Sequence, residues 1–118
     1  MKEILAFIRV GKVKDTRDAL EVNGFNSYTC RKCLGHGRYR LSSAGESLVR
    51  ALNNGTDSRR LIAKRLFAVV VEDEDVQRAV KIIIEVNRTG NPGDGKIFVR
   101  DIGECHCIRS GETDKLDT

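Results

Sequence analysis

Apolar positions fall into four extended runs, separated by two stretches with helical spacing. Residues 3–10 (E-I-L-A-F-I-R-V) are a short apolar run rich in branched side chains, which predicts a buried strand. Residues 15–23 follow with Thr16, Ala19 and Leu20 at helical spacing, and Gly24 just beyond is a helix stop, because glycine adopts the left-handed conformation without a Cβ penalty. Residues 26–34 read as a second strand, bounded by Asn26-Ser27 and by Gly35-His36-Gly37. Residues 61–71 give a third. Glu72, Asp73, Glu74 and Asp75 then place negative charge where a helix should start, with Asp73 as the expected cap and Val76, Val80, Ile83 and Ile84 as the expected buried stripe. Residues 96–102 form the fourth strand, and residues 105–108 suggest a short fifth before a polar tail.

From residue 38 to residue 60 the periodicity fails. Small, polar and charged residues mix there. Residues 47–52 suit one helical turn, which Asn53-Asn54-Gly55 breaks. A loop of this length in a compact domain is usually functional or disordered. The order strand, helix, strand, long loop, strand, helix, strand predicts an α+β fold. Two βαβ halves in series make a ferredoxin-like βαββαβ sandwich, with four antiparallel strands and two helices on one face. That architecture serves enzymes, metal chaperones, RNA binders and sensors alike, so it leaves function open.

The 118 residues suit a single domain, 1–118. A domain this small buries a modest fraction of its surface, and association with further copies is a common remedy. No apolar run approaches the roughly 18 residues of a membrane span, and no apolar stretch of a signal peptide follows Lys2 and Glu3. A cytoplasmic location without membrane insertion is expected, which argues against disulfides among the four cysteines. The net charge is +4, and Arg31, Lys32, Arg38, Arg40, Arg50, Arg59, Arg60, Lys64 and Arg65 crowd the middle of the chain. Such a concentration suits phosphate, of a nucleotide or of nucleic acid, although a solvated surface explains it equally.

Residues 89–99 (T-G-N-P-G-D-G-K-I-F-V) hold three glycines, the only proline and a lysine. Gly90-x-x-x-x-Gly95-Lys96 matches most of a P-loop. It fails because Ile97 stands where Ser or Thr would hold magnesium, and because the segment joins a helix to a strand rather than the reverse. The anion-cradle physics survives: glycines let successive N–H groups converge, and Lys96 adds charge beside them. A tight helix-to-strand turn is the plain alternative.

This segment resembles the signature of the PII family of signal-transduction proteins, Thr-x-x-x-Gly-Asp-Gly-Lys-Ile-Phe-Val, throughout. Residues 2–20 look like that family's first strand and helix, and Gly35-x-Gly37-Arg38 looks like the entry to its T-loop. Residues 64–71 look like the strand that leaves the loop, and Ile108-Arg109-Ser110-Gly111-Glu112 looks like its C-terminal motif. The resemblance implies a homotrimer, a T-loop at about 37–60, a nucleotide-binding turn at 89–96 and a C-terminal loop at 103–118. It implies a non-enzymatic sensor of ATP or ADP that binds 2-oxoglutarate beside MgATP. Gly35, Gly37, Arg38, Gly93, Asp94, Gly95 and Lys96 would lie on the phosphate side, with Arg109 reaching in from a neighbouring subunit. Thr29 would lie near the adenine, and Lys64 would pair with a carboxylate of 2-oxoglutarate. Departures are Cys107, Tyr39 and Ala68, where the family usually has arginine, glutamine and glutamate, and the absence of the usual proline near position 10.

No tyrosine lies between Arg40 and Arg60, so uridylylation is not implied, and the serines there lack the family's phosphorylation context. Residues 24–37 are similar to the second of two PII paralogues encoded among nitrogenase genes in methanogens and some anaerobic bacteria. That likeness implies inhibition of nitrogenase through its molybdenum–iron component, together with a PII paralogue. A PII sensor acting on glutamine synthetase or an ammonium channel is the alternative. An RNA-binding module is disfavoured, because exposed aromatic pairs for base stacking are lacking. Cys30-x-x-Cys33, Cys105-His106-Cys107 and His36 list zinc-type ligands. Residues 30 and 33 of a strand face opposite ways, however, so no metal site is expected.

Overall fold

A computed structural model describes residues 1–36 and 61–113. The expected long loop, its helical turn at 47–52, and Gly37, Arg38 and Tyr39 lie outside the described residues.

Strand β1 (Lys2–Arg9) leads through a 3-10 turn (Val10–Lys12) into helix α1 (Val13–Val22). Strands β2 (Thr29–Gly35) and β3 (Ile62–Val71) follow, then a 3-10 turn at Asp73–Asp75, helix α2 (Val76–Asn87) and strand β4 (Lys96–Asp101). The sheet is antiparallel in the order β2-β3-β1-β4. This is the α+β ferredoxin-like sandwich that the apolar pattern predicts.

Period-two alternation sorts the sheet faces. Ile4, Ala6 and Ile8 of β1 and Phe67, Val69 and Val71 of β3 are buried beneath the helices, against Leu20 of α1 and Val76, Ala79 and Ile83 of α2. Leu5, Phe7, Leu66, Ala68 and Phe98 point to the other face, which no helix among the described residues covers. The Phe7 and Phe98 rings meet there edge to face, 6.1 Å apart.

Gly24 ends α1 as expected. Its φ is +88°, its N–H bonds to the Glu21 carbonyl at 3.1 Å, and the next N–H, of Phe25, bonds back to the Leu20 carbonyl at 2.9 Å. These two bonds satisfy carbonyls the helix would otherwise strand, and Phe25 is buried as the apolar seal of that cap.

The buried face of α2 corrects two expectations. Ile84 is 37% exposed, and Ala79 and Asn87 occupy the inner stripe instead. Asp73 caps neither helical segment with its side chain. Its carboxylate accepts from the N-terminal ammonium at 2.5 Å, which holds it below the usual carboxylate range. The expected fifth strand is also absent from the described residues. Residues 105–108 make one isolated bridge, His106 to Thr113, closed by Cys107 N–H to the Glu112 carbonyl at 2.8 Å and Gly111 N–H to the Cys107 carbonyl at 2.7 Å. Gly111, at φ +75°, reverses the chain before a ladder can grow.

Candidate anion-binding turn

The segment from Thr89 to Lys96 must carry the chain from the end of α2 to the edge strand β4. Gly90, Gly93 and Gly95 take φ of +86°, +97° and +109°, a region that disfavours side chains. Gly95 is also required by space, since a Cβ there would stand 1.8 Å from the Phe7 carbonyl oxygen of β1.

Asp94 folds this turn from within. Its carboxylate accepts from the Thr89 hydroxyl, from the Thr89 N–H at 2.9 Å and from the Gly90 N–H at 2.9 Å. The Thr89 hydroxyl in turn accepts from the Asn91 N–H at 3.2 Å. Arg9, the last residue of β1, donates Nη1 to Asp94 at 2.6 Å and Nη2 to the Pro92 carbonyl at 3.0 Å. The Thr89 bonds first, then Arg9, hold the Asp94 carboxyl far below its usual range. The Asp94 carboxylate is thus spent inside the turn.

Lys64 of β3 lies directly across the ladder from Arg9 and donates Nζ to the Gly93 carbonyl at 2.5 Å. Burial, and then the Arg9 charge, push its ammonium below the ordinary lysine value, with Asp94 opposing. The amides of Thr89, Gly90 and Asn91 are consumed within the turn. Those of Gly93 and Asp94 are not among the donors of this network.

Of the residues singled out in the sequence, Lys64, Gly93, Asp94, Gly95 and Lys96 converge at this end of the sheet. Gly35 is close by, as a Cβ on it would make an ordinary 3.8 Å contact with Lys64, so local space does not demand glycine there. Thr29 stands opposite Ala68, six β2 residues from Gly35, or roughly 20 Å along the strand. Arg109 sits on the tight C-terminal turn beyond the far end of β4, where the Ile102 N–H meets the Met1 carbonyl at 3.2 Å. Within one chain neither is brought to the glycine turn. Arg9 was not visible as a site residue in the sequence. The β1–β4 register, which pairs Phe7 with Lys96, would have placed it opposite Asp94 had that pairing been known.

Cys30 and Cys33 stay unbridged on β2, and Cys105 and Cys107 are likewise free of disulfides. Among the described residues no group of three or more His, Cys, Asp and Glu side chains forms a metal site. Nor is any helix among them long and apolar enough to cross a membrane.

A four-stranded antiparallel sheet under two helices, with a glycine-built turn leading into its edge strand, defines a ferredoxin-like α+β domain. Residues 1–112 match the family model for nitrogen regulatory protein P-II, and the chain belongs to that family. It is therefore a signal-transduction regulator and not an enzyme. The chain is similar to nitrogen fixation nifHD region GlnB-like protein 2 of Methanothermobacter marburgensis, at 40% identity over 95% of both chains. The protein of that name in Methanothermococcus thermolithotrophicus is also 40% identical, covering 98% of this chain and 97% of its own. Nitrogen regulatory protein P-II 1 of Methanothermobacter thermautotrophicus is 38% identical over 95% of this chain and 92% of its own.

Proposed function

We propose that the chain is a cytoplasmic, trimeric sensor that binds ATP or ADP at the glycine turn, responds to 2-oxoglutarate and acts on nitrogenase. The carrying observation is the turn itself: positive-φ glycines, two amides outside the internal network, and Lys96 two residues beyond an Asp94 carboxylate whose charge Arg9 and the Thr89 and Gly90 donors already satisfy. A triphosphate is the natural occupant of such a cationic, amide-lined corner.

Gly35, Gly93, Asp94 through its N–H, Gly95 and Lys96 would hold phosphates, with Gly37 and Arg38 completing that side. The separations along the sheet support a site that takes Thr29 and Arg109 from an adjacent chain. Lys64 would exchange the Gly93 carbonyl for a carboxylate of 2-oxoglutarate. Mg2+ would be held chiefly by the oxygens of the phosphates and the keto acid, because it keeps hard oxygen ligands and is commonly bound through substrate phosphates.

The nitrogenase assignment is supported by relatives whose names place them in the nitrogen-fixation nifHD region. A PII paralogue would be its partner in that inhibition, and the molybdenum–iron component its target.

Titration calorimetry with ATP and ADP, with Mg2+ and with or without 2-oxoglutarate, tests the sensor. Binding of either nucleotide, strengthened or weakened by 2-oxoglutarate, is expected. Absence of heat with both nucleotides refutes it. Nitrogenase turnover that stays constant on adding the protein and its paralogue refutes the target.

A further inference from the structure

Arg9 and Lys64 hold the glycine turn from one side. Each grips a backbone carbonyl: Arg9 that of Pro92 at 3.0 Å, Lys64 that of Gly93 at 2.5 Å. The Pro92–Gly93 and Gly93–Asp94 peptide bonds are trans, so each of these units sets its C=O and N–H in opposite directions. The Pro92 carbonyl shares a peptide plane with the Gly93 N–H, and the Gly93 carbonyl shares one with the Asp94 N–H. Drawing both carbonyls toward the two cations therefore turns both amides to the opposite side, where an anion can collect them.

Arg9 carries the larger share of this arrangement. Its fork spans two acceptors of different kinds, the Pro92 carbonyl and the Asp94 carboxylate at 2.6 Å. A lysine, with a compact ammonium, lacks that planar fork. The guanidinium also packs against Gly93, where a Cβ would stand 3.2 Å from Nη2, so the turn is moulded on Arg9. Without this cation the Asp94 carboxylate would present its charge beside an incoming phosphate, and the Pro92–Gly93 peptide would lose the donor that fixes its orientation.

We propose that Arg9 is a positioning residue for phosphate binding: by holding the Pro92 carbonyl and the Asp94 carboxylate to its own side, it aims the Gly93 amide at the anion. This rests on the nucleotide reading above and adds a residue that itself need not touch the ligand.

The test uses the full chain and the variants Arg9→Gln and Arg9→Lys, titrated with ATP and, separately, with inorganic tripolyphosphate. The Gly93 amide resonance is followed alongside, and circular dichroism reports the fold. Arg9→Gln is expected to weaken both ligands roughly tenfold, the loss of a charge-assisted hydrogen bond to a fixed site. The Gly93 amide shift on adding tripolyphosphate should collapse in the same variant. Arg9→Lys, which keeps the charge without the fork, should recover only part of the affinity. Wild-type binding with Arg9→Gln within about twofold and an unchanged Gly93 response overturns this proposal alone. If Arg9→Gln does not fold, Arg9→Lys decides by the same two criteria. Absence of binding by the wild type overturns the nucleotide reading and this proposal together.

Discussion

Two residues of the turn carry different burdens, and separate measurements distinguish them. Gly95 is fixed by space and by φ: at +109° and with the Phe7 carbonyl 1.8 Å from a notional Cβ, no rotamer relieves the contact. Gly95→Ala should therefore cost on the order of 3 kcal/mol or more by pushing β4 away from β1, read as a fall in the urea midpoint. Asp94 is fixed by its partners. Its carboxyl is depressed in the folded state, so it stabilises the fold fully above the ordinary carboxylate range and loses that contribution as the pH drops toward the depressed folded value. The stability gap between wild type and Asp94→Asn should therefore be full and level at and above about pH 5 and shrink toward about pH 2. A gap independent of pH would mean that the charged form is not what holds the turn.

At the scale of elements, the two helices meet through a buried polar pair. Asn87 of α2 donates Nδ2 to the Thr16 hydroxyl at 3.0 Å and to the Ile83 carbonyl at 2.9 Å, and Thr16 passes its own proton to the Lys12 carbonyl at 2.7 Å. That chain has one donor direction, because Lys12 and Ile83 offer only carbonyl acceptors. Thr16→Val leaves one bond of the chain unmade on each side and should cost about 1–2 kcal/mol. Adding Asn87→Leu removes the stranded amide as well, so the double variant should be less destabilised than the sum of the singles in denaturant melts.

The sequence pattern could not show this pair. Asn87 sits at helical spacing from Ile83, but a periodicity argument counts only apolar residues and therefore assigned the stripe to Ile84. Elements whose signal is local were legible: the four strands, Gly24 as the α1 stop, and the glycine segment. Contacts set by pairing register were not. Arg9, Asp94 and Lys64 are dozens of residues apart and meet only because β1 lies between β3 and β4. Asp73 misled for the same reason, since the partner that claims its carboxylate is the chain's own amino terminus, 72 residues away.

For the molecule as a whole, the apolar outer face of the sheet and the proposed nucleotide site point to one assembly. Leu5, Phe7, Leu66, Ala68 and Phe98 form an apolar surface on a domain of 13.2 kDa, with Phe98 52% exposed. Soluble monomers rarely leave such a surface open. Trimerisation would cover it and would also bring Arg109 and Thr29 of one chain to the glycine turn of the next. Sedimentation should therefore give a particle of three chains. Phe98→Glu places charge in the covered face and should yield monomers that have also lost ATP binding, although residues 89–96 are untouched. A complementation experiment separates shared sites from mere association. Lys96→Ala and Arg109→Ala homotrimers should each bind ATP poorly. Co-refolded mixtures regain binding at those seams where an intact Lys96 faces an intact Arg109 from the neighbour. Sites contained within one chain predict no recovery on mixing, so recovery at unchanged particle size is the outcome that requires a site built across two subunits.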